Sequence, residues 1–216
     1  MFGFNLINTL SGLLIITSLI VIETRSLRRS AYYYAVQSIV LVLIFLTLAV
    51  TTGQKQLFLW AASALVTKAI LTPYILLRGE DRVASAAPPP QAVRPALAIV
   101  LAAISVVVSF VVINQLDLKI ANEYKPALAV SVAHFFFGQL CILTQRNILK
   151  QILGFCLMEN GSHLTLALLA YSAPELVEIG IATDAIFGVL IMTILAVQIY
   201  RKLDTLDAAS LTSLKG

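Results

Sequence analysis

Charge is scarce in this sequence. Asp, Glu, Lys and Arg make up 12% of its 216 residues, where soluble domains carry about 25%. That excludes an ordinary water-soluble globular domain. Cysteine is nearly absent as well. Cys141 and Cys156 both lie inside apolar runs, and no C-x-x-C or Cys/His ligand spacing exists. This argues against an iron–sulfur or zinc site within the chain and leaves both thiols as small packing residues. There is no G-x-x-x-x-G-K, no G-x-G-x-x-G, no H-E-x-x-H and no nucleophile elbow, so the sequence carries no motif for redox or hydrolytic chemistry of its own. No basic stretch precedes the first apolar run; Arg25, Arg28 and Arg29 follow it. A signal peptide has the opposite order, so this run reads as a retained span. No internal repeat of the kind that builds secondary transporters stands out.

What the sequence does have is apolar length. Hydrophobic residues make up 59% and the mean hydropathy is +0.92. Seven runs approach the roughly 20 residues that a membrane span needs. They are Phe4–Ile22, Tyr32–Val50, Leu57–Leu77, Ala96–Ile113, Ala127–Leu143, Ile148–Tyr171 and Leu176–Tyr200. In lipid each must be helical, because its backbone has no water to pair with. The fold expected is therefore all-α and integral to a membrane, with seven transmembrane helices.

The basic residues alternate between loops. One set holds eleven, including Arg28, Arg29, Arg78, Arg82, Arg146, Lys150, Arg201 and Lys202, and the other set only Lys55, Lys119 and Lys125. The net charge of +4 therefore reads as a signal of orientation, not of nucleic-acid binding. The positive-inside rule places the N-terminus outside and the C-terminus in the cytoplasm. The run Ala84-Ser85-Ala86-Ala87-Pro88-Pro89-Pro90 cannot be helical. It suggests a cytoplasmic linker over 79–95, between three helices in 1–78 and two in 96–145. Two more helices over 146–202 follow, then a cytoplasmic tail, 203–216, whose Asp204, Asp207 and Ser210 suggest a surface segment.

Against this background a few ionisable residues stand out. A carboxylate at mid-membrane costs about 2.5–3.5 kcal/mol on insertion scales. Glu159 and Asp184 both fall inside apolar runs. Lys68 lies about 16 Å into its run, too deep for its ammonium to reach water easily, and Pro73 follows one turn later. Either a structural ion pair or a place on a proton path would account for it. His163 is four residues after Glu159 and hence on the same face, where a carboxyl–imidazole pair can pass a proton. By residue count Lys68 and Glu159 share one depth, and His134, His163 and Asp184 another. His134 is followed by three phenylalanines, which also fits a packing ridge. Asn160, Gly161 and Ser162 are helix-contact residues. Glu175 and Glu178, behind Pro174, suit the first turn of the last helix, where acids complement the helix dipole.

The segment Arg146–Lys202 resembles the K subunit of respiratory complex I and the C subunit of multi-subunit sodium/proton antiporters. Their basic-Asn-Leu-Leu start and G-L-E-I-M-I-N-A-S motif are similar to Arg146-Asn147-Ile148-Leu149 and to Gly154 through Ser162. Their later E-A-x-x-G is similar to Asp184-Ala185-Ile186-Phe187-Gly188. The family's first glutamate falls on Cys156, so Glu159 lies three residues later. The full chain, with seven spans against three, resembles component E of the hydrogenase 4 and formate hydrogenlyase group. The resemblance implies a membrane-arm subunit of an energy-converting [NiFe] hydrogenase in a prokaryotic cytoplasmic membrane. Its partners would be antiporter-like membrane subunits and a soluble redox arm that holds the nickel–iron centre and iron–sulfur clusters. Proton translocation would run through Glu159 and Asp184, with His163, Lys68 and His134 extending the path. A purely structural scaffold and a cation/proton antiporter subunit are the competing readings.

Overall fold

The computed structural model describes residues 2–83, 86, 89, 90, 92–116 and 123–213. Ala84, Ser85, Ala87 and Pro88 of the expected linker, and the loop charges Asp117, Lys119 and Lys215, lie outside the described residues. Among the described residues, seven helices are long and apolar enough to cross a membrane. They comprise α1 (Phe2–Glu23), α2 (Leu27–Thr52), a rod made of α3 (Gln56–Ala64), a π-helical stretch (Leu65–Leu71) and α4 (Thr72–Asp81), then α5 (Pro95–Gln115), α6 (Lys125–Thr144), α7 (Ile148–Leu169) and α8 (Glu175–Leu203).

Local chemistry sets the boundaries. Helix α2 starts five residues before its expected run, because its polar first turn hides the start. Ser26 caps it, its side chain accepting from the Arg29 amide. The helix stops at Gly53, whose φ of 71° suits a residue without Cβ. Helices α5 and α6 carry proline in the first turn, where the missing N–H costs nothing. The Asn147 side chain caps α7 by accepting from the Leu149 and Lys150 amides at 2.9 and 3.3 Å.

One end of the bundle gathers the basic residues. Arg28 at the start of α2 pairs with Asp81 and Glu80 at the end of α4. The Lys150 ammonium, at the start of α7, donates to the Val21 and Ile22 carbonyls at 3.0 Å and to Thr24 O at 2.5 Å. It thereby satisfies the carbonyls that the end of α1 leaves unpaired. The tail folds back at Asp204 (φ 51°). Leu206 O accepts from the Ile148 amide and Ala208 N donates to Arg146 O. Arg146 grips both Asp207 oxygens. Residues 204–208 thus dock onto the start of α7, more closely than a surface segment would, and Leu206 is buried. At the opposite end Asn8 bonds Glu123 O and the Ala127 amide, and Gln56 bonds Tyr171 O and Ala173 O.

Two apolar cores fill the interior, one toward each end. The basic-end core includes Val21, Tyr34, Leu76, Phe137, Leu153, Val197 and Leu206. The other includes Leu14, Phe45, Trp60, Leu128 and Leu164. Along every inner helix the residues between these cores are polar: Ser18 on α1, Gln37 on α2, Lys68 in the π-helical stretch, His134 on α6, and Asn160 and His163 on α7, all buried. The bundle is therefore apolar, polar, apolar along its axis. Helices α6 and α7 form its most buried part, whereas α5 and α8 turn most of their surface outward.

Candidate functional site

The polar layer is built around Lys68. Pro73 has no N–H, and its ring crowds the carbonyl four residues back. Ahead of it the rod widens to π-helical geometry, with the Thr72 amide bonded to Thr67 O. Such π segments recur at functional positions. This one carries Lys68, whose side chain is 1% exposed and whose Nζ donates to Glu159 Oε1. Glu159 is 17% exposed, so the pair opens slightly on the carboxylate side. The shared depth of these residues was legible in their positions along the two runs.

Helix α7 comes very close to α6. A Cβ on Gly138 would lie 2.2 Å from Met158 N, and one on Gly161 would lie 2.4 Å from Phe135 N. Only glycine permits this approach, which sets Glu159, Asn160 and His163 at fixed positions beside α6.

His163 lies one helical turn beyond Glu159, but the two do not bond each other. Glu159 takes Lys68, and His163 Nε2 bonds Glu178 Oε2 at 2.8 Å. Both members of that second pair are essentially inaccessible, at 1% and 2%. The Phe45 and Trp60 rings wall the imidazole, with centroids 4.8 and 5.4 Å away. His163 Nδ1 and Glu178 Oε1 are buried without a partner, so each can bond one further group. This corrects the expectation for Glu178. It does lie in the first turn of α8, but its carboxylate is buried and bonds His163. Its phase explains why: Glu178, Ala185, Val189, Thr193 and Ala196 are the buried stripe of α8, at the three-, four- and seven-residue steps of one helix face.

His134 joins a different group. Its Nδ1 lies 2.8 Å from Ser18 Oγ and its Nε2 lies 2.9 Å from Gln37 Nε2. The Ser18 hydroxyl donates to Leu14 O. An amide N–H at Nε2 needs a lone pair there, so the ring is neutral with its proton on Nδ1. Gln37 Oε1 accepts from Asn160 Nδ2 at 3.1 Å, and Asn160 Oδ1 from Tyr34 OH at 3.5 Å. A chain of side chains therefore links α1, α6, α2 and α7 at mid-bundle. Gln37, Ser18 and Tyr34 were not singled out from the sequence. Ser and Tyr are common in apolar helices, and only Gln37, a lone amide in a long apolar run, gave a signal.

Asp184 stands apart. It is exposed on the outer face of α8, one position off the buried stripe, and no hydrogen bond or ion pair joins it to the other described residues. Of the three residues expected at one depth, His134 and His163 both lie in the mid-bundle layer but in separate hydrogen-bond groups, and Asp184 faces outward. Lys150, read as a loop charge, is buried instead. Cys141 and Cys156 are unbonded to each other and buried. Among the described residues no group of three His, Cys, Asp or Glu side chains is placed to hold a metal ion.

Residues 126–216 match the family described as NADH-ubiquinone/plastoquinone oxidoreductase chain 4L. The stretch covers α6, α7, α8 and the docked tail. Hydrogenase-4 component E of Escherichia coli strain K12 is 50% identical over 216 residues, all of both chains. The component of the same name from Shigella flexneri is equally similar. An uncharacterised protein of Mycobacterium tuberculosis is 24% identical over 97% of this chain and 96% of its own length. No solved structure matches the chain. With half its residues shared end to end with those components, and with residues 126–216 matching the chain 4L family, the chain belongs to the hydrogenase-4 component E family.

Proposed function

We propose that this protein is a membrane-arm subunit of a complex I-related, energy-converting hydrogenase, and that its mid-bundle polar layer carries part of a proton path. The nickel–iron centre and iron–sulfur clusters of such an assembly belong to partner subunits. The reading is carried by one observation: a lysine–glutamate pair held by a π-helical stretch within an apolar bundle, one helical turn from a buried imidazole–carboxylate pair. In this scheme Glu159 is the entry group, because it is the more open member of its pair. A proton arriving there weakens the hold of Lys68. His163 and Glu178, roughly 6 Å further along α7, receive the proton next through the two atoms left unpartnered. The His134–Gln37–Asn160 chain orients the α7 side chains and forms a lateral branch.

Asp184 extends this path outside the chain. A carboxylate on an outward face at membrane depth is costly. It is offset when a neighbouring antiporter-like subunit supplies a basic group or a polar channel against α8. In this reading α8 is the face through which the relay leaves. The positive-inside pattern supports a basic end in the cytoplasm, and with it a relay between the two sides of a prokaryotic inner membrane.

Replacing Glu159 by glutamine in the intact complex tests the reading. The variant complex is expected to assemble and to lose redox-driven acidification of vesicles; undiminished acidification removes Glu159 from the path. The competing scaffold reading draws on the same observation, since both interior acids are paired. It expects the variant to fail in assembly, because an unpartnered buried Lys68 costs about 3–5 kcal/mol.

A further inference from the structure

Between α4 and α8, near the basic end, lies an open cleft of about 360 Å³. Its walls are Ile75, Leu190, Ile194 and Val197, and its rim carries Tyr74, Arg78 and Arg82. Arg78 and Arg82 are four residues apart on one face of the rod. The acids nearest them in sequence, Glu80 and Asp81, are engaged by Arg28 from α2. Arg78 lies over the Tyr74 ring, 5.3 Å from its centroid, and among the described residues neither arginine has a carboxylate partner. Thr193 adds a second, independent observation. It is 5% exposed and lines the cleft, yet its Oγ1 has no hydrogen-bond partner. A threonine in a helix commonly bonds a carbonyl of its own preceding turn; this hydroxyl makes no such bond and is enclosed at the floor of the cleft. Gly79 lets α4 pack directly on Thr193 at the floor of the cleft, since a Cβ there would lie 2.4 Å from Thr193 Cγ2.

We infer that this cleft is a binding site for an anionic phospholipid of the phosphatidylglycerol type. Two guanidinium groups at the rim present the planar donor pattern that suits phosphate oxygens. The Ile75, Leu190 and Ile194 side chains line a path down the groove for an acyl chain, and Tyr74 sits at the headgroup level that aromatic residues favour. Basic pockets between transmembrane helices recognise lipid headgroups on these grounds. Net negative charge is required of the ligand, because a zwitterionic headgroup brings an ammonium group against the same two arginines. A bound lipid also fills the space between α4 and α8, and so supports the π-helical stretch that carries Lys68.

Native mass spectrometry of the complex, purified in mild detergent, delipidated and titrated with defined lipids, tests the site. Wild-type protein is expected to retain one phosphatidylglycerol per chain in preference to phosphatidylcholine. The R78Q/R82Q double variant is expected to weaken retention about tenfold or more, the loss of at least one charge-assisted hydrogen bond. Ile194→Trp, which fills the groove and leaves both arginines in place, is expected to do the same, and it decides the matter should the double variant fail to assemble. Equal retention of phosphatidylcholine, or unchanged retention in I194W, overturns the inference. So does binding of inorganic phosphate alone, which marks a soluble-anion site, or a neighbouring polypeptide that cross-links at position 194 with no lipid present.

Discussion

At the level of single residues, the Arg146–Asp207 pair explains why a basic residue and an asparagine stand together before α7. Asn147 caps the helix, and Arg146 fastens the returning tail. The hydrogen bonds from Arg146 hold the Asp207 carboxyl below its ordinary value, and Asp207 in turn raises Arg146. A carboxylate lowered in the folded state stabilises above its unfolded value, about 3.9, and loses that contribution as pH falls through the lowered one. Tail docking is therefore expected to be insensitive to pH near neutrality and to loosen only in strongly acidic solution. Amide exchange at Ile148 and Ala208, referenced to D207N, checks this. A tail that loosens near neutrality contradicts the assignment, as does a D207N variant with the same acid response as wild type.

Lys150 makes the same point from the opposite direction. In sequence it is one more basic residue beside a loop. In the fold it replaces the missing helical partners of three carbonyls at the end of α1. Lys150→Met is expected to leave Val21 O without its donor, while Gln145 still reaches Ile22 O and Ser30 still reaches Thr24 O, and to destabilise the basic end by about 1–3 kcal/mol. A thermal-unfolding comparison in detergent reads that loss, and an unshifted transition refutes it.

Among the elements, the two devices that place the site are the glycine contact between α6 and α7 and the π-helical stretch before Pro73. Gly138→Ala sets a methyl group against the α7 backbone at Met158. A cost of about 1–3 kcal/mol or more is expected, because backbone atoms cannot step aside as a flexible side chain can. Reduced yield of assembled complex measures it, and normal assembly and stability contradict it. Pro73→Ala acts on the other device. It lets the rod relax toward regular α-helical geometry, which turns Lys68 about the helix axis and away from Glu159. Proton translocation is expected to fall although no charge has been removed; an unaltered ratio of protons moved to hydrogen turned over rules out that role for the proline.

Much of this was legible in the sequence, and the limits have physical reasons. The seven spans follow from apolar length alone, since a bilayer leaves the backbone no other solution. The equal depth of Lys68 and Glu159 is legible by residue count, and an ion pair is one of two readings of Lys68, but residue count does not say which helices are neighbours and so does not name Glu159 as its partner. The His163 partner was misread because Glu178 was judged by its distance from Pro174 and not by the face it occupies. The next buried positions on α8 follow at helical spacing and include Glu178, whereas Asp184 falls between them. The Gln37–His134–Asn160 chain could not be read, since neutral polar residues carry no sign from which a partner can be inferred.

For the molecule as a whole, the architecture is an apolar bundle divided by one polar layer, with a closed inner pair of helices and an outward face on α8 that carries an acid unpaired among the described residues. A chain of this design is expected to copurify in mild detergent with redox subunits and antiporter-like membrane subunits. Isolation as a lone homo-oligomer favours a stand-alone transporter. Asp184→Asn is expected to leave the fold intact, since no described residue depends on its charge, and to weaken association with the subunit that covers α8 or the ion movement across that contact. Unchanged association together with unchanged translocation removes Asp184 from both roles.

The most direct measurement uses a paired substitution. Replacing one member of a buried ion pair strands the other, whereas replacing both with apolar residues of similar size is often neutral or stabilising by about 1–4 kcal/mol. The K68M/E159L complex, reconstituted into vesicles, separates packing from proton transfer. The account predicts that it assembles, turns over hydrogen and no longer acidifies the vesicle interior. Wild-type acidification by this double variant contradicts it.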